Sequence, residues 1–176
     1  MKKSDLLISH TKDGYEIVVS GRANFEYGVP MRRFAQTLDS QHISKVTINM
    51  ANCLGMDSTF MGILTMLALK LKKQGAVVEI INISQFNRDL LHTLGIEKLF
   101  LFPAGSEASN SSEAKVLANG EKNTVGSLDM AETVVDAHET LMLANEDNVE
   151  KFEQVTKFAK QDAERLRQQS KQQSRP

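Results

Sequence analysis

Short runs in which apolar and polar residues alternate, separated by longer stretches with a period near 3.6, lay out most of this chain as strands and helices. Leu6 to Ser9 and Tyr15 to Ser20 flank Lys12-Asp13-Gly14, whose Asp and Gly tolerate the positive φ of a tight turn, and the pair predicts a β-hairpin. Gly21-Arg22-Ala23-Asn24 breaks that rhythm. Tyr27 to Leu38 then reads as a helix, with Val29, Phe34, Ala35 and Leu38 on one side and Pro30 confined to the first turn. Val46, Ile48 and Met50 alternate with Thr47 and Asn49, a strand with one buried face. Directly after it, Phe60, Ile63, Leu64, Leu67 and Leu71 fall at i, i+3, i+4, i+7 and i+11 behind Asp57, Ser58 and Thr59, all residue types that cap a helix N-terminus.

Gly75 stops this helix, and Val77 to Ile83 is an apolar run too short for another, so it predicts a strand buried on both faces. Ser84 caps a helix over Gln85 to Leu94 that buries Phe86, Leu90, Leu91 and Leu94 and ends at Gly95. Strand-helix-strand-helix order from Lys45 onward implies right-handed crossovers onto one sheet. Residues 105–126, rich in Ser, Asn and Gly, predict a flexible linker with a helical turn around Ala114 to Leu117 at most, and functional serines there compete with a plainly solvated segment. Asp129 and Glu132 have capping-box spacing. Ala131, Val134, Val135, His138, Leu141 and Met142, then Val149, Phe152, Val155, Ala159, Ala163 and Leu166, repeat at helical intervals on either side of Asn145-Glu146-Asp147-Asn148. Residues 127–170 are therefore a helical hairpin or one long helix. Fraying is expected from Arg165 onward, with residues 171–176 a disordered tail.

A length of 176 residues with 41% hydrophobic content supports one core and an appendage. The net charge of -1 argues against direct DNA binding. No run reaches the roughly 18 apolar residues of a membrane span, and the three apolar residues Leu6-Leu7-Ile8 are too few for a signal peptide, so the expected location is cytoplasmic. The lone Cys53 excludes an internal disulfide and reads as a buried structural thiol. His10, His42, His92 and His138 have no ligand spacing, so no metal or other cofactor is expected, and no local signature points to an enzyme.

The stretch Met56-Asp57-Ser58-Thr59-Phe60-Met61-Gly62-Ile63 behind a Val-Thr-Ile-Asn-Met strand resembles the central motif of the STAS domain, found in bacterial anti-sigma factor antagonists. The resemblance extends over residues 4 to 103, where Asn-Ile-Ser, a helix closing on Leu-Gly-Ile and a short last strand through Ile96 to Phe102 look like the end of such a domain. Phe60 stands where the family most often has Gly. The implied fold is α/β: a STAS-type mixed sheet of four to five strands in residues 1–104, plus a C-terminal helical extension. The resemblance further implies phosphorylation of Ser58 by an anti-sigma factor serine kinase, reversal by a phosphoserine phosphatase, and partner binding through Asn24, Asp57, Ser58, Thr59, Met61 and Gly62. Ser58 as a plain helix cap is the competing reading, contributing about 1 kcal/mol without any kinase.

One further signal comes from the helix after Ser58, which has almost no polar face before Lys70. Its outer side needs a cover: a partner protein, a second copy joined through the C-terminal helices, or residues 128–168 folding back. Three functions follow: a phosphorylation-switched antagonist, a STAS subunit in a signalling scaffold or ABC-type lipid transport complex with a permanent interface, or an α/β enzyme or ligand binder.

Overall fold

The computed structural model describes residues 5–38, 43–105, 114–119 and 126–173. Its centre is a mixed five-stranded sheet in the order β4-β3-β2-β1-β5. Strands β1 (Asp5–Thr11) and β2 (Gly14–Ala23) form the predicted hairpin, with Gly14 at φ 149 where the chain turns. Strands β3 (Lys45–Met56) and β4 (Val77–Ile81) add to β2 in parallel. The register puts Leu6, Val19, Ile17, Ile48, Val46, Val78 and Ile80 on one face, all buried, so the period-two pattern marks the core side as expected.

Helices α1 (Phe25–Thr37) and α2 (Ser58–Lys73) connect the parallel strands, and α2 sends Phe60, Ile63, Leu64, Leu67 and Leu71 into the core with no exposed surface. Each buried Leu or Ile of this kind contributes about 1.5–3 kcal/mol. Helix α3 (Gln85–Thr93) is capped by Ser84 as predicted. It buries Leu91 and Asn87, but Phe86 is 61% exposed, correcting the expectation that this ring belongs to the core. The residues after Gly95 form a 3-10 turn (Glu97–Leu99), and the expected last strand shrinks to one parallel bridge between Leu101 and Glu79.

Two differences from the sequence reading lie in the C-terminal third. Within the segment expected to be a linker, β5 (Lys115–Asn119) pairs antiparallel with β1. Ser106, Ser109, Ser111 and Ser112 lie outside the described residues, as do residues 174–176. Residues 127–173 form a helical hairpin of α4 (Ser127–Ala144) and α5 (Asn148–Gln173), with α4 packed on α2 and α1 and α5 packed on α4. Asp129 and Glu132 do not form a capping box, because α4 begins at Ser127 behind Gly126. Instead they meet cations: Asp129 pairs with Arg33, and Glu132 with Arg32 at 3.5 Å and Arg167 at 2.8 Å. α5 stays helical to Gln173, beyond Arg165 where fraying was expected, and Arg167 in that stretch pairs with Glu132.

The hairpin turn is fixed to the first hundred residues as well. Asn148 is fully buried, and its side-chain amide donates to the carbonyls of Leu94 and Leu141, each at 2.9 Å. Gly95 sits beside this contact at φ 67, and a Cβ there would come within 2.2 Å of the Asn145 amide. Only glycine combines that backbone conformation with that proximity.

Candidate functional site

At the carboxyl ends of the parallel strands β2 and β3, two helix N-termini converge, the usual place for a site on an open α/β sheet. Asp57 joins them. Its side chain accepts from the Phe60 amide at 2.8 Å as the cap of α2 and from the Phe25 amide at 2.7 Å in the first turn of α1, while its own amide donates to the Ala23 carbonyl. Asn24 caps α1 by accepting from the Glu26 amide at 3.1 Å. Orphan amides and the positive ends of both helix dipoles thus meet one carboxylate, the arrangement the Asp and Asn residue types suit. Burial pushes the Asp57 carboxyl above its ordinary range, opposed by the Phe60 and Phe25 amides and by His138.

Ser58 is the first residue of α2 and is half-buried. Its Oγ lies 2.9 Å from Nε2 of His138 on α4, whose Nδ1 lies 2.9 Å from the Val134 carbonyl. A carbonyl can only accept, so Nδ1 carries the proton and Nε2 accepts from the Ser58 hydroxyl. His138 is 3% exposed, with the Phe152 ring of α5 at 4.8 Å between centroids. Burial pushes its pKa below the ordinary value, opposed by the bond to Val134 and the Asp57 charge. The sign for stability follows: the unfolded chain binds a proton here more readily than the folded one. The stability contributed by neutral His138 is therefore complete above about pH 6.5 and is lost as the pH falls through its depressed folded pKa.

The residues singled out in the sequence separate into two groups. Asn24, Asp57 and Ser58 keep partial exposure, whereas Thr59, Met61 and Gly62 are buried. At Gly62 the α2 and α4 backbones nearly touch: a Cβ there would stand 2.4 Å from the Ala137 carbonyl oxygen. Gly28 of α1 gives the same freedom one turn away, with Thr133 and Thr59 methyl carbons 3.2 and 3.3 Å from where its Cβ would be. The cover required by the apolar α2 is thus supplied by the chain's own C-terminal hairpin. Phe60 points away from this junction into the core.

His138 is the site residue that the sequence does not single out, since it stands in an apolar stripe and has no metal-ligand spacing. A ring with two polar nitrogens in such a stripe needs two partners, and that was the available signal. Beside Asp57 a cleft of about 310 Å³ remains open, lined by Arg22, Asn24, Leu54, Phe86 and Leu90 among others. Leu54 is 65% exposed there. Cys53 is buried, and burial pushes its thiol pKa up, so it offers no nucleophile. Among the described residues, no group of three or more His, Cys, Asp or Glu could hold a metal ion, and no helix is long and apolar enough to cross a membrane.

Part of the chain is similar to known proteins. The STAS domain model matches residues 29–109. Among solved structures, the anti-sigma factor antagonist SpoIIAA in its unphosphorylated form aligns with a TM-score of 0.51 at 13% identity, covering 57% of this chain and 89% of that one. The Bacillus cell fate determinant SpoIIAA in its phosphorylated form gives a TM-score of 0.48 at 16% identity, covering 57% and 92%. No curated protein matches the chain. At such identities the structural likeness is one of fold, and it spans 57% of this chain. Residues 29–109 thus resemble a STAS domain, and the mixed sheet with its capped strand-to-helix junction at Asp57 has a fold like that of the anti-sigma factor antagonist SpoIIAA.

Proposed function

We propose that this chain is an anti-sigma factor antagonist, a protein-binding module switched by phosphorylation of Ser58 and acting in the cytoplasm. With Ser58 unmodified it captures an anti-sigma factor serine kinase and so frees a sigma factor; phosphorylated, it releases the kinase, and a phosphoserine phosphatase resets it. The chain is the kinase's substrate and no catalyst. One observation carries this reading: a half-buried serine is the first residue of α2, directly after the cap Asp57, which lines an open cleft with Asn24, Leu54 and Phe86. A phosphate there adds nearly two negative charges next to a carboxylate, which a docked partner would have to desolvate. The helix dipole tolerates such a charge, so modification acts on the partner more than on the STAS fold. The test is incubation of the full chain with a serine kinase of the anti-sigma type and ATP. A mass gain at Ser58 that is absent from Ser58→Ala is expected; a kinase that captures the chain yet never modifies Ser58 would overturn the reading.

The structure also favours a second reading, a STAS subunit with permanent interfaces, because Met61 and Gly62 are already covered by α4. Co-purification with a partner that Ser58→Asp leaves unchanged would select it. A homodimer through the C-terminal helices would find exposed apolar residues on both, Leu143 on α4 and Val155 and Phe158 on α5.

A further inference from the structure

We propose that the α4–α5 hairpin is a built-in competitor for the Ser58 face, so that hairpin closure and a phosphate on Ser58 exclude each other. This rests on the reading of Ser58 as the modified residue and adds its regulation. The hairpin touches the features a partner is proposed to touch: His138 takes the Ser58 hydroxyl proton in a hydrogen bond, and Ala137 sits on Gly62. Met61 and Thr59 are buried beside them.

Space and charge then set the exclusion. The 2.9 Å between Oγ and Nε2 is a direct contact, and the helices are held together one turn further along by the Gly62–Ala137 approach, so a phosphoryl group cannot occupy the space between Oγ and His138 while α4 is seated. Asp57 already brings a carboxylate to the same junction. A phosphate would raise the local charge to about minus three, against which a protonated His138 supplies only one positive charge. Around His138, the Val134 carbonyl of α4 and the Phe152 ring of α5 offer a phosphate no donor. The start of α2 tolerates that charge but α4 offers it no matching partner, so the modified serine is accommodated by moving α4 away.

The chain then has three states. Closed, it holds its own serine; open and unmodified, it is available to a kinase; phosphorylated, it is rejected by kinase and hairpin alike. Only the open fraction binds, so closure lowers the apparent affinity for any partner by that fraction.

The test compares the full-length chain carrying phosphoserine installed at position 58 with unmodified chain and with Ser58→Ala, by hydrogen–deuterium exchange. Amides of α4 are expected to exchange at least tenfold faster with phosphoserine, while β2 and β3 keep their protection and Ser58→Ala stays close to the unmodified chain. Unchanged protection of α4 would overturn the proposal. So would loss of protection throughout the sheet, since the charge would then unfold the domain instead of opening it. Because the phosphate is installed without a kinase, a chain that opens on modification but is never labelled by a kinase would sink the proposed function and leave this coupling standing.

Discussion

Gly62→Val is expected to drive α4 off α2. The added Cβ would meet the Ala137 carbonyl oxygen at 2.4 Å and its carbonyl carbon at 2.7 Å, and backbone cannot turn aside as a flexible side chain can. α2 cannot retreat either, because Phe60, Ile63 and Leu64 on either side of Gly62 are locked in the core. The hairpin must therefore shift, breaking the Ser58–His138 bond and uncovering Ala137 and Leu141. Overpacking of this kind costs about 1–3 kcal/mol, and more where backbone is struck. In a protein of this size that corresponds to a Tm lower by roughly 5–10 °C. Thermal unfolding checks the magnitude, and limited proteolysis checks the place, with new cleavage expected within residues 127–173. An unchanged Tm with the hairpin still protected would mean that the helices do not pack as described.

Phe60→Ala is expected to cost more, about 3–5 kcal/mol, because a fully buried aromatic ring at the start of α2 is removed from between helix and sheet. The loss should appear as a Tm lower by roughly 10 °C or more. Unlike Gly62→Val, it should weaken the sheet and hairpin together, so that exchange of β3 amides accelerates along with that of α4. A drop of only a degree or two would show that Phe60 is not a core residue. The result bears on the resemblance of this stretch to the STAS motif, which sets Phe60 against a glycine. Here that position supplies core volume and does not reshape the exposed edge of Ser58.

The first two thirds of this architecture could be read from the chain because each element carries its own local pattern. Val46, Ile48 and Met50 alternate, Phe60 to Leu71 recur at helical spacing, and Asp57 between them is a capping residue that caps. Where a residue's role depends on a distant partner, the local pattern was silent. Phe86 sits at a position that suits an apolar helix face, yet no element covers it. Lys115 to Asn119 has too few residues to announce a strand, and β1 supplies the pairing. Asp129 and Glu132 have the spacing of a capping box but are claimed by Arg32, Arg33 and Arg167, which lie 35 or more residues away. At the site the division is the same. Asp57 and Ser58 were legible as the start of a helix; that His138, eighty residues on, would meet the serine was not, because it depends on how closely two glycine-permitted helices approach.

The account depends most on α4 being seated over Ser58, and the ¹⁵N spectrum of the His138 imidazole in the full-length chain, followed as a function of pH, reports on that contact atom by atom. A seated helix predicts a neutral ring protonated on Nδ1 whose protonation falls below the ordinary histidine range because the ring is buried, and a return toward ordinary titration in Gly62→Val. A wild-type His138 that titrates like a solvent-exposed histidine, with no preference between its two nitrogens, would contradict the seated hairpin and leave Ser58 uncovered.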